Sequence, residues 1–76
     1  MDWSNLEYFL SVAREGSLSK AASKLDVNHS TVARRLDKLE SDLNVKLFNR
    51  QNKGYELTNH GLALKQEASV VENQVF

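Results

Sequence analysis

The sequence predicts a mainly α-helical domain with three helices, a two-stranded hairpin and a longer fourth helix. Apolar residues recur every three or four positions over most of the 76 residues, which is the period of helices that face a core. Glycine or helix-capping residues interrupt this pattern at the predicted helix ends. Residues 47–57 change to a shorter period around an Asn-Lys-Gly sequence, which indicates two short strands joined by a turn.

The composition excludes several classes of protein. A domain of this size buries only about 60% of the surface that its unfolded chain exposes, so its stability depends on the apolar core. The chain has no cysteine and two histidines, which excludes a disulfide framework and the usual ligand sets for structural zinc. We therefore expect no metal and no cofactor. The apolar stretches are too short to span a membrane, and we expect a cytoplasmic protein.

The first two helices are defined by their ends. Ser4 and Glu7 have the spacing of a capping box at the start of helix one, and Gly16 suits the left-handed conformation of its C-terminal end. Ser17 is the predicted cap of helix two, and residues 26–27 form the corner after it.

Helix three is predicted over residues 28–43, with Asn28 as its N-cap. Its apolar residues recur at intervals of four, three and four, and we call them the apolar stripe: Val32, Leu36, Leu39 and Leu43. The predicted core contains three of these and six further residues: Trp3, Phe9, Val12, Leu25, Val32, Leu36, Leu39, Leu47 and Phe48. The two tyrosines, Tyr8 and Tyr55, are expected to be partly exposed.

The hairpin is predicted from residues 47–50 and 55–57, and Thr58 caps the fourth helix. This organisation divides the chain into a unit of three helices and a hairpin at 1–58 and a final helix at 59–76. The fourth helix has its own apolar seam, which we expect to form a dimer interface: Leu64, Ala68, Val71 and Val75. The alternative is that this seam packs on helix one.

The charges of the chain are unevenly distributed. The net charge is zero, yet residues 20–53 hold eight basic and four acidic side chains, a net of +4. The two flanking segments, residues 1–19 and 54–76, carry −2 each. Such segregation suits an anionic ligand, although a solvated basic face would give the same pattern.

The two faces of helix three differ in composition. At 100° per residue, the face opposite the apolar stripe is polar and basic, and a short helix, a tight corner and a second helix make a helix-turn-helix. In that arrangement the second helix enters the major groove with its N-terminal residues at the base edges. The predicted base contacts are Asn28, His29, Ser30, Thr31 and Arg34. A bidentate Arg34–guanine pair would contribute about 1–3 kcal/mol of discrimination.

Contacts to the DNA backbone are expected from basic and hydroxyl side chains around this helix: Ser17, Ser19, Lys20, Arg35, Lys38, Arg50 and Lys53. The two serines lie at a helix start, where free backbone N–H groups favour a phosphate. The last two cations belong to the wing, residues 50–54, which is expected to reach a phosphate or the minor groove.

A second hypothesis makes the chain a helical interaction module, in which the fourth helix is the functional surface and the basic face binds an acidic protein. An enzyme is not expected. His29 and Ser30 are adjacent, so their side chains diverge by about 100° on a helix and cannot form a base and nucleophile pair. The glycines are isolated and form no phosphate-binding loop.

Three stretches, LEYFLSVAREGSLSKAASKL, VNHSTVARRLDKLESDLNVKLFNR and YELTNHG, resemble the N-terminal DNA-binding domain of LysR-type transcriptional regulators. The resemblance covers residues 3–76. It implies a winged helix-turn-helix, a linker helix that pairs two subunits into a homodimer, and binding to interrupted dyad sites in double-stranded promoter DNA. It also implies that a C-terminal domain sensing a small-molecule effector normally follows.

The chain departs from the family pattern where bases would be contacted. The family's Ser-Gln-Pro-Ala-Val-Ser falls on residues 28–33, and only Val32 is the usual residue. Asn44 replaces a glycine at a position that favours a left-handed backbone, Lys53 replaces a wing arginine, and His60 stands where alanine is frequent. The resemblance therefore defines how the domain docks on DNA better than it defines which base sequence is recognised.

Overall fold

The computed structural model describes residues 2–50 and 54–74, and for residues 69–74 the backbone only. The elements follow the predicted order: α1 Trp3–Glu15, α2 Leu18–Leu25, α3 His29–Leu43, β1 Phe48–Asn49, β2 Glu56–Leu57 and α4 Asn59–Gln74. The two strands pair antiparallel, with Phe48 opposite Leu57. The first three helices pack on one another, and α4 contacts α1 and β2. The predicted mainly α, winged helix-turn-helix architecture is confirmed.

The predicted capping box at the start of α1 is wrong, because the N-cap is Asp2. The Asp2 carboxylate accepts hydrogen bonds from the Ser4 backbone N–H at 3.0 Å and from the Ser4 hydroxyl at 2.8 Å. Asp and Ser are both favoured N-caps, and the use of the earlier one adds Trp3 and Ser4 to the helix. The Ser4 bonds, followed by the nearby charge of Arg35, hold the pKa of Asp2 below the ordinary aspartate value of 3.8.

The other predicted helix ends are confirmed. Gly16 ends α1 with a φ of 77°, and the Ser17 hydroxyl caps α2 by accepting a hydrogen bond from the Lys20 N–H. Asp26 and Asn44, which follow α2 and α3, both take a left-handed φ of 57°. Asp and Asn tolerate this conformation better than other non-glycine residues, so the chain can turn sharply at both points.

The core is centred on α3. The first three residues of the apolar stripe, Val32, Leu36 and Leu39, are fully buried. They lie in one cluster with Phe9 and Phe48, whose ring centroids are 5.3 Å apart. The burial of α3 along one side fixes which of its residues face outward.

Two predicted core positions, Trp3 and Leu25, and one residue of the apolar stripe, Leu43, need correction. Trp3 is 69% exposed, because it lies nine residues before the buried Val12 and therefore on the opposite side of α1. Leu43 is 37% exposed although it is in phase with the apolar stripe, because it is the last residue of α3. Leu25 is only half-buried at the end of α2.

A buried carboxylate joins the hairpin to α3. Glu40 is 6% exposed, and its Oε2 accepts hydrogen bonds from the Leu47 N–H at 2.7 Å and the Phe48 N–H at 3.3 Å. Its Oε1 accepts a third bond from the Arg50 guanidinium at 3.0 Å. These bonds set where β1 begins relative to the end of α3, and hence where the two paired strands lie.

We predict that Leu36→Ala lowers the free energy of unfolding by about 2–5 kcal/mol, because it removes a fully buried side chain and leaves a cavity. Leu43→Ala is the matched control, since it deletes the same atoms from the exposed end of the same stripe. Urea unfolding followed by circular dichroism measures both. Equal losses for the two variants would show that the phase of α3 is wrong.

We predict that Glu40→Gln destabilises the domain by about 2–3 kcal/mol, because a charged acceptor of three hydrogen bonds is replaced by a neutral one. Hydrogen exchange of the Leu47 and Phe48 amides should accelerate most. Glu56→Gln, which makes the same change on the exposed β2, is the control. Unchanged protection of the Leu47 amide would contradict the role given to Glu40.

The lowered pKa of Asp2 predicts a stability contribution that depends on pH. A carboxylate whose pKa is depressed in the folded state stabilises that state above its unfolded pKa of about 3.9, and the contribution disappears as the pH falls through the folded pKa. The difference in urea midpoint between the native chain and Asp2→Asn should thus be present at about pH 6 and shrink below about pH 4. A difference that grows toward acid pH would contradict the assignment.

Candidate nucleic-acid interface

The helix-turn-helix is formed by α2, the corner at residues 26–28 and α3. Ala21 and Ala22 are buried on α2, and such small side chains allow the two helices to approach closely. The Val27 N–H donates to the Ala22 carbonyl at 3.0 Å, which fixes the corner. The start of α3 is therefore held rigidly against α2, with its N-terminal residues projecting from the molecule.

The structure brings the predicted base contacts together at the first turns of α3. Four of the five are exposed, Thr31 being half-buried, and they share one end of the helix: Asn28, His29, Ser30, Thr31 and Arg34. Asn28 is the N-cap residue by position, as predicted, but its side chain makes no capping hydrogen bond. Its amide is thus available for another partner, as a base contact by Asn28 would require.

Arg34 lies on the outer face of α3, which we define as Ser30, Arg34 and Lys38. Arg34 is exposed, and within residues 2–50 and 54–74 it has no ion pair or hydrogen-bond partner. Lys38 forms a 3.2 Å pair with Asp42, one turn further along. The Lys38 side chain in that pair is 67% exposed, and such a surface pair contributes little, so the Lys38 ammonium remains available to a phosphate.

Arg35 was expected to face the DNA backbone, but the structure directs its side chain toward α1. Its Nη1 lies 3.1 Å from the Asn5 Oδ1, 3.3 Å from the Ser4 Oγ and 3.4 Å from the Asp2 Oδ2. The guanidinium carbon also lies 5.4 Å from the centroid of the Tyr8 ring. A phosphate contact through this Nη1 nitrogen would require these bonds to break.

The energetic cost of such a change can be estimated from Asn5, which is 2% exposed. Its side-chain oxygen accepts the bond from Arg35, and a buried acceptor left without a partner costs about 1–3 kcal/mol. The intramolecular arrangement is therefore the favoured one for Arg35.

Arg50 is also directed inward, onto α3. It lies 2.8 Å from the Asp37 Oδ1 and 3.0 Å from the Glu40 Oε1, and its guanidinium carbon is 5.3 Å from the centroid of the Tyr55 ring. Burial alone would lower the pKa of Arg50, but the hydrogen bond to Asp37 and the charge of Glu40 raise it above its usual value. The predicted contact between Arg50 and DNA would compete with these partners.

The remaining backbone candidates differ in availability. Ser19 and Lys20 are exposed near the start of α2, and within the described ranges Lys20 has no side-chain partner. The Ser17 hydroxyl accepts the capping bond but retains its own proton to donate. Lys53 lies outside the described residues.

Sequence reasoning missed Glu40, although a signal was present. Glu40 follows Leu36 by four residues and is therefore nearly in phase with the apolar stripe. A carboxylate at such a position must be buried or must bend outward. The guanidinium that donates a hydrogen bond to the Glu40 carboxylate belongs to Arg50, ten residues further along.

The apolar seam of α4, which is the predicted dimer interface, lies partly against the core of its own chain. Ala68 is only 5% exposed and belongs to the core cluster, and Leu64 is half-buried against it. Gly61 explains how α4 comes so close, because a Cβ there would collide with the Leu47 carbonyl. The side chain of Val71 and the whole of Val75 lie outside the described residues.

Two absences can be stated for the described part of the chain. None of its helices has the length and apolar content needed to cross a lipid bilayer. It also contains no cluster of three or more His, Asp or Glu side chains that could bind a metal ion.

Two solved structures resemble the whole fold. The structure "CbnR_DBD-DNA complex" superposes with a TM-score of 0.90 at 35% identity, over 99% of this chain and 86% of that chain. The structure "BenM_DBD/catB site 1 DNA Complex" gives a TM-score of 0.92 at 31% identity, over 99% of this chain and 83% of that chain. Both of these relatives are described in complex with DNA.

Curated relatives are also similar in sequence. The HTH-type transcriptional regulator YofA of Bacillus subtilis (strain 168) is 46% identical over 71 residues, which cover 93% of this chain and 25% of that protein. The regulator ClcR of Pseudomonas putida is 38% identical over 68 residues, which cover 90% of this chain and 23% of that protein. The chain thus spans about a quarter of the length of these relatives.

A protein-family model described as "Bacterial regulatory helix-turn-helix protein, lysR family" matches residues 3–62, from the first residue of α1 into α4. This range contains the core, the helix-turn-helix and the hairpin. The relatives that share it are named as regulators, and the family is not a family of enzymes. The chain belongs to the LysR family of bacterial regulatory helix-turn-helix proteins.

Proposed function

We propose that this chain is the sequence-specific DNA-binding module of a homodimeric transcriptional regulator, and that α3 is its recognition helix. The observation that carries the proposal is the contrast between the two sides of α3. One side is fully buried, while the first turns present exposed polar side chains, among them an arginine with no partner in the described structure. A helix of this kind fits the major groove of B-DNA.

The base contacts follow from this placement. Arg34 is the residue suited to a bidentate pair with the O6 and N7 of guanine, and the Asn28 amide is suited to the N6 and N7 of adenine. His29 and Ser30 can each donate or accept a hydrogen bond, and the Thr31 methyl can contact a thymine methyl. Because residues 28–33 differ from the family pattern, we expect a base preference of the chain's own.

The phosphate contacts are assigned to cations and hydroxyls that can still donate a hydrogen bond to a phosphate. Ser17, Ser19 and Lys20 serve at the start of α2, and Lys38 serves further along α3. Lys53 is proposed for the wing. We leave Arg35 and Arg50 out of this group because intramolecular partners already direct both guanidinium groups toward the domain itself.

For the dimer, we propose the exposed side of α4. Leu62 is exposed and lies away from the buried Ala68, so an apolar contact with a second copy would begin there. Residues 1–58 would then form the DNA-binding unit and residues 59–76 the linker and dimerisation helix. In such a dimer the two recognition helices should lie about 34 Å apart, or be brought to that spacing by DNA bending.

The whole regulator is proposed by analogy with its longer relatives. It would add an effector-sensing domain after this module, act in the cytoplasm on promoter DNA and have no catalytic activity. The competing hypothesis, a helical interaction module without DNA binding, has no observation in the structure that favours it. Its basic face would have to bind an acidic protein through residues arranged at the start of a recognition helix.

We predict a steep dependence of DNA affinity on salt. Release of counterions from about 6–10 phosphate contacts should weaken binding by about three to five decades between roughly 50 and 200 mM salt.

Arg34→Ala should lose about 1–3 kcal/mol of discrimination at one base position. Fluorescence anisotropy on a duplex selected from random sequences measures both.

Arg34→Lys is the matched control for that experiment, because it keeps the charge and loses the planar pair of donors. It should retain affinity for a scrambled duplex while losing discrimination. Affinity that is indifferent to salt, or Arg34→Ala binding as selectively as the native chain, would reject the proposed function.

We predict that Leu62→Glu shifts the dimer toward monomer, because it places a charge in the proposed apolar contact. His60→Glu adds the same charge two residues earlier, about 200° around the helix, and should leave the dimer intact. Sedimentation velocity measures the mass of both. A Leu62→Glu protein that remains fully dimeric would place the interface elsewhere.

A further inference from the structure

Arg34 and Arg35 are neighbours in sequence with opposite environments. Arg34 faces outward without a partner in the described structure, whereas the Arg35 guanidinium is bound by three side chains of the first turn of α1. The two side chains leave α3 about 100° apart. One helical turn therefore carries both a DNA-facing cation and an anchor to the rest of the domain.

We call the hydrogen bonds from Arg35 to Asn5, Ser4 and Asp2 the anchor. These bonds are directional, whereas the burial of the apolar stripe is not. Burial of Val32, Leu36 and Leu39 holds α3 against the core, but apolar burial is non-directional and permits small rotations of a helix. Hydrogen bonds weaken steeply with angle. The bonds from one Arg35 nitrogen to Asn5 and Ser4 thus constrain the rotation of α3 at the turn that carries Arg34.

The α1 side of this anchor is itself fixed. Asn5 is buried at the centre of the contact, and Asp2 is held in place as the N-cap of α1. The Tyr8 ring lies beneath the guanidinium and adds a cation–π contact. A rotation of α3 would therefore pull the Arg35 guanidinium away from residues that are held in place at the start of α1.

We propose that Arg35 is a positioning residue for base recognition: it locks the rotation of α3 through Asn5, Ser4 and Asp2, and makes no phosphate contact. The inference rests on the proposed DNA-binding function. Its consequence is that discrimination between DNA sequences depends on α1, which would lie away from the bases. Specificity is then partly set by residues that never touch DNA.

The test separates a positioning residue from a phosphate contact by two readouts. Binding to the selected duplex and to a scrambled duplex is measured over a range of salt, which gives a salt slope and a specificity ratio. Arg35→Met should leave the slope unchanged and lower the ratio about tenfold. Lys20→Met, a proposed phosphate contact, should lower the slope by about 0.9 per contact and keep the ratio.

Asn5→Ala tests the same anchor without changing any charge. It should lower the ratio as Arg35→Met does, and the double variant should lose little beyond either single variant. A reduced slope with a preserved ratio in Arg35→Met would make Arg35 a phosphate contact and overturn the proposal. An unchanged ratio in Asn5→Ala would also overturn the proposal. If circular dichroism shows that Arg35→Met does not fold, the Asn5→Ala result decides the question.

Failure of the proposed function gives a different result. If the native chain binds the selected and scrambled duplexes equally, the specificity ratio is one before any substitution is made, and the DNA-recognition hypothesis fails as a whole. A native ratio well above one that Arg35→Met and Asn5→Ala leave unchanged rejects only the positioning role.

Discussion

The complete burial of Val32, Leu36 and Leu39 is the constraint on which the rest of the structure depends. These residues place one side of α3 in contact with α1, α2 and the start of the hairpin, and thereby determine that Ser30 and Arg34 face outward. A rotation of α3 by one residue would bring a charged side chain into the core, which costs far more than a domain of this size can offset. The side of α3 that we propose faces DNA is thus specified by what the opposite side must bury.

Charge pairing refines this arrangement. The basic segment at 20–53 has a net charge of +4, but Arg35 and Arg50 are held by carboxylates and amides of the domain itself. Both arginines join α3 to a neighbouring element, α1 in one case and the hairpin in the other. The cations that we propose contact DNA are therefore fewer and more localised than the sequence suggests. This separation lets a neutral domain present a focused positive surface.

The sequence predicted the fold well because the helix ends carry explicit signals, such as Gly16, Ser17 and Asn44. It failed where two signals competed or where long-range contacts decide. Asp2 replaced Ser4 as the cap, since both types are favoured at that position. The inward turn of Arg35 depends on residues 30 to 33 positions away, and no local pattern reports such a contact. The burial of Ala68 likewise follows from how α4 meets the core.

The central claim is that the exposed first turns of α3 form the surface that binds DNA. An NMR titration of the ¹⁵N-labelled chain with the selected duplex tests it most directly, since each backbone amide reports its own surroundings. The largest shifts should fall on residues 28–34 and on the start of α2, with little change in the interior of α1. Shifts concentrated on α1 or α4, with residues 28–34 unaffected, would contradict it.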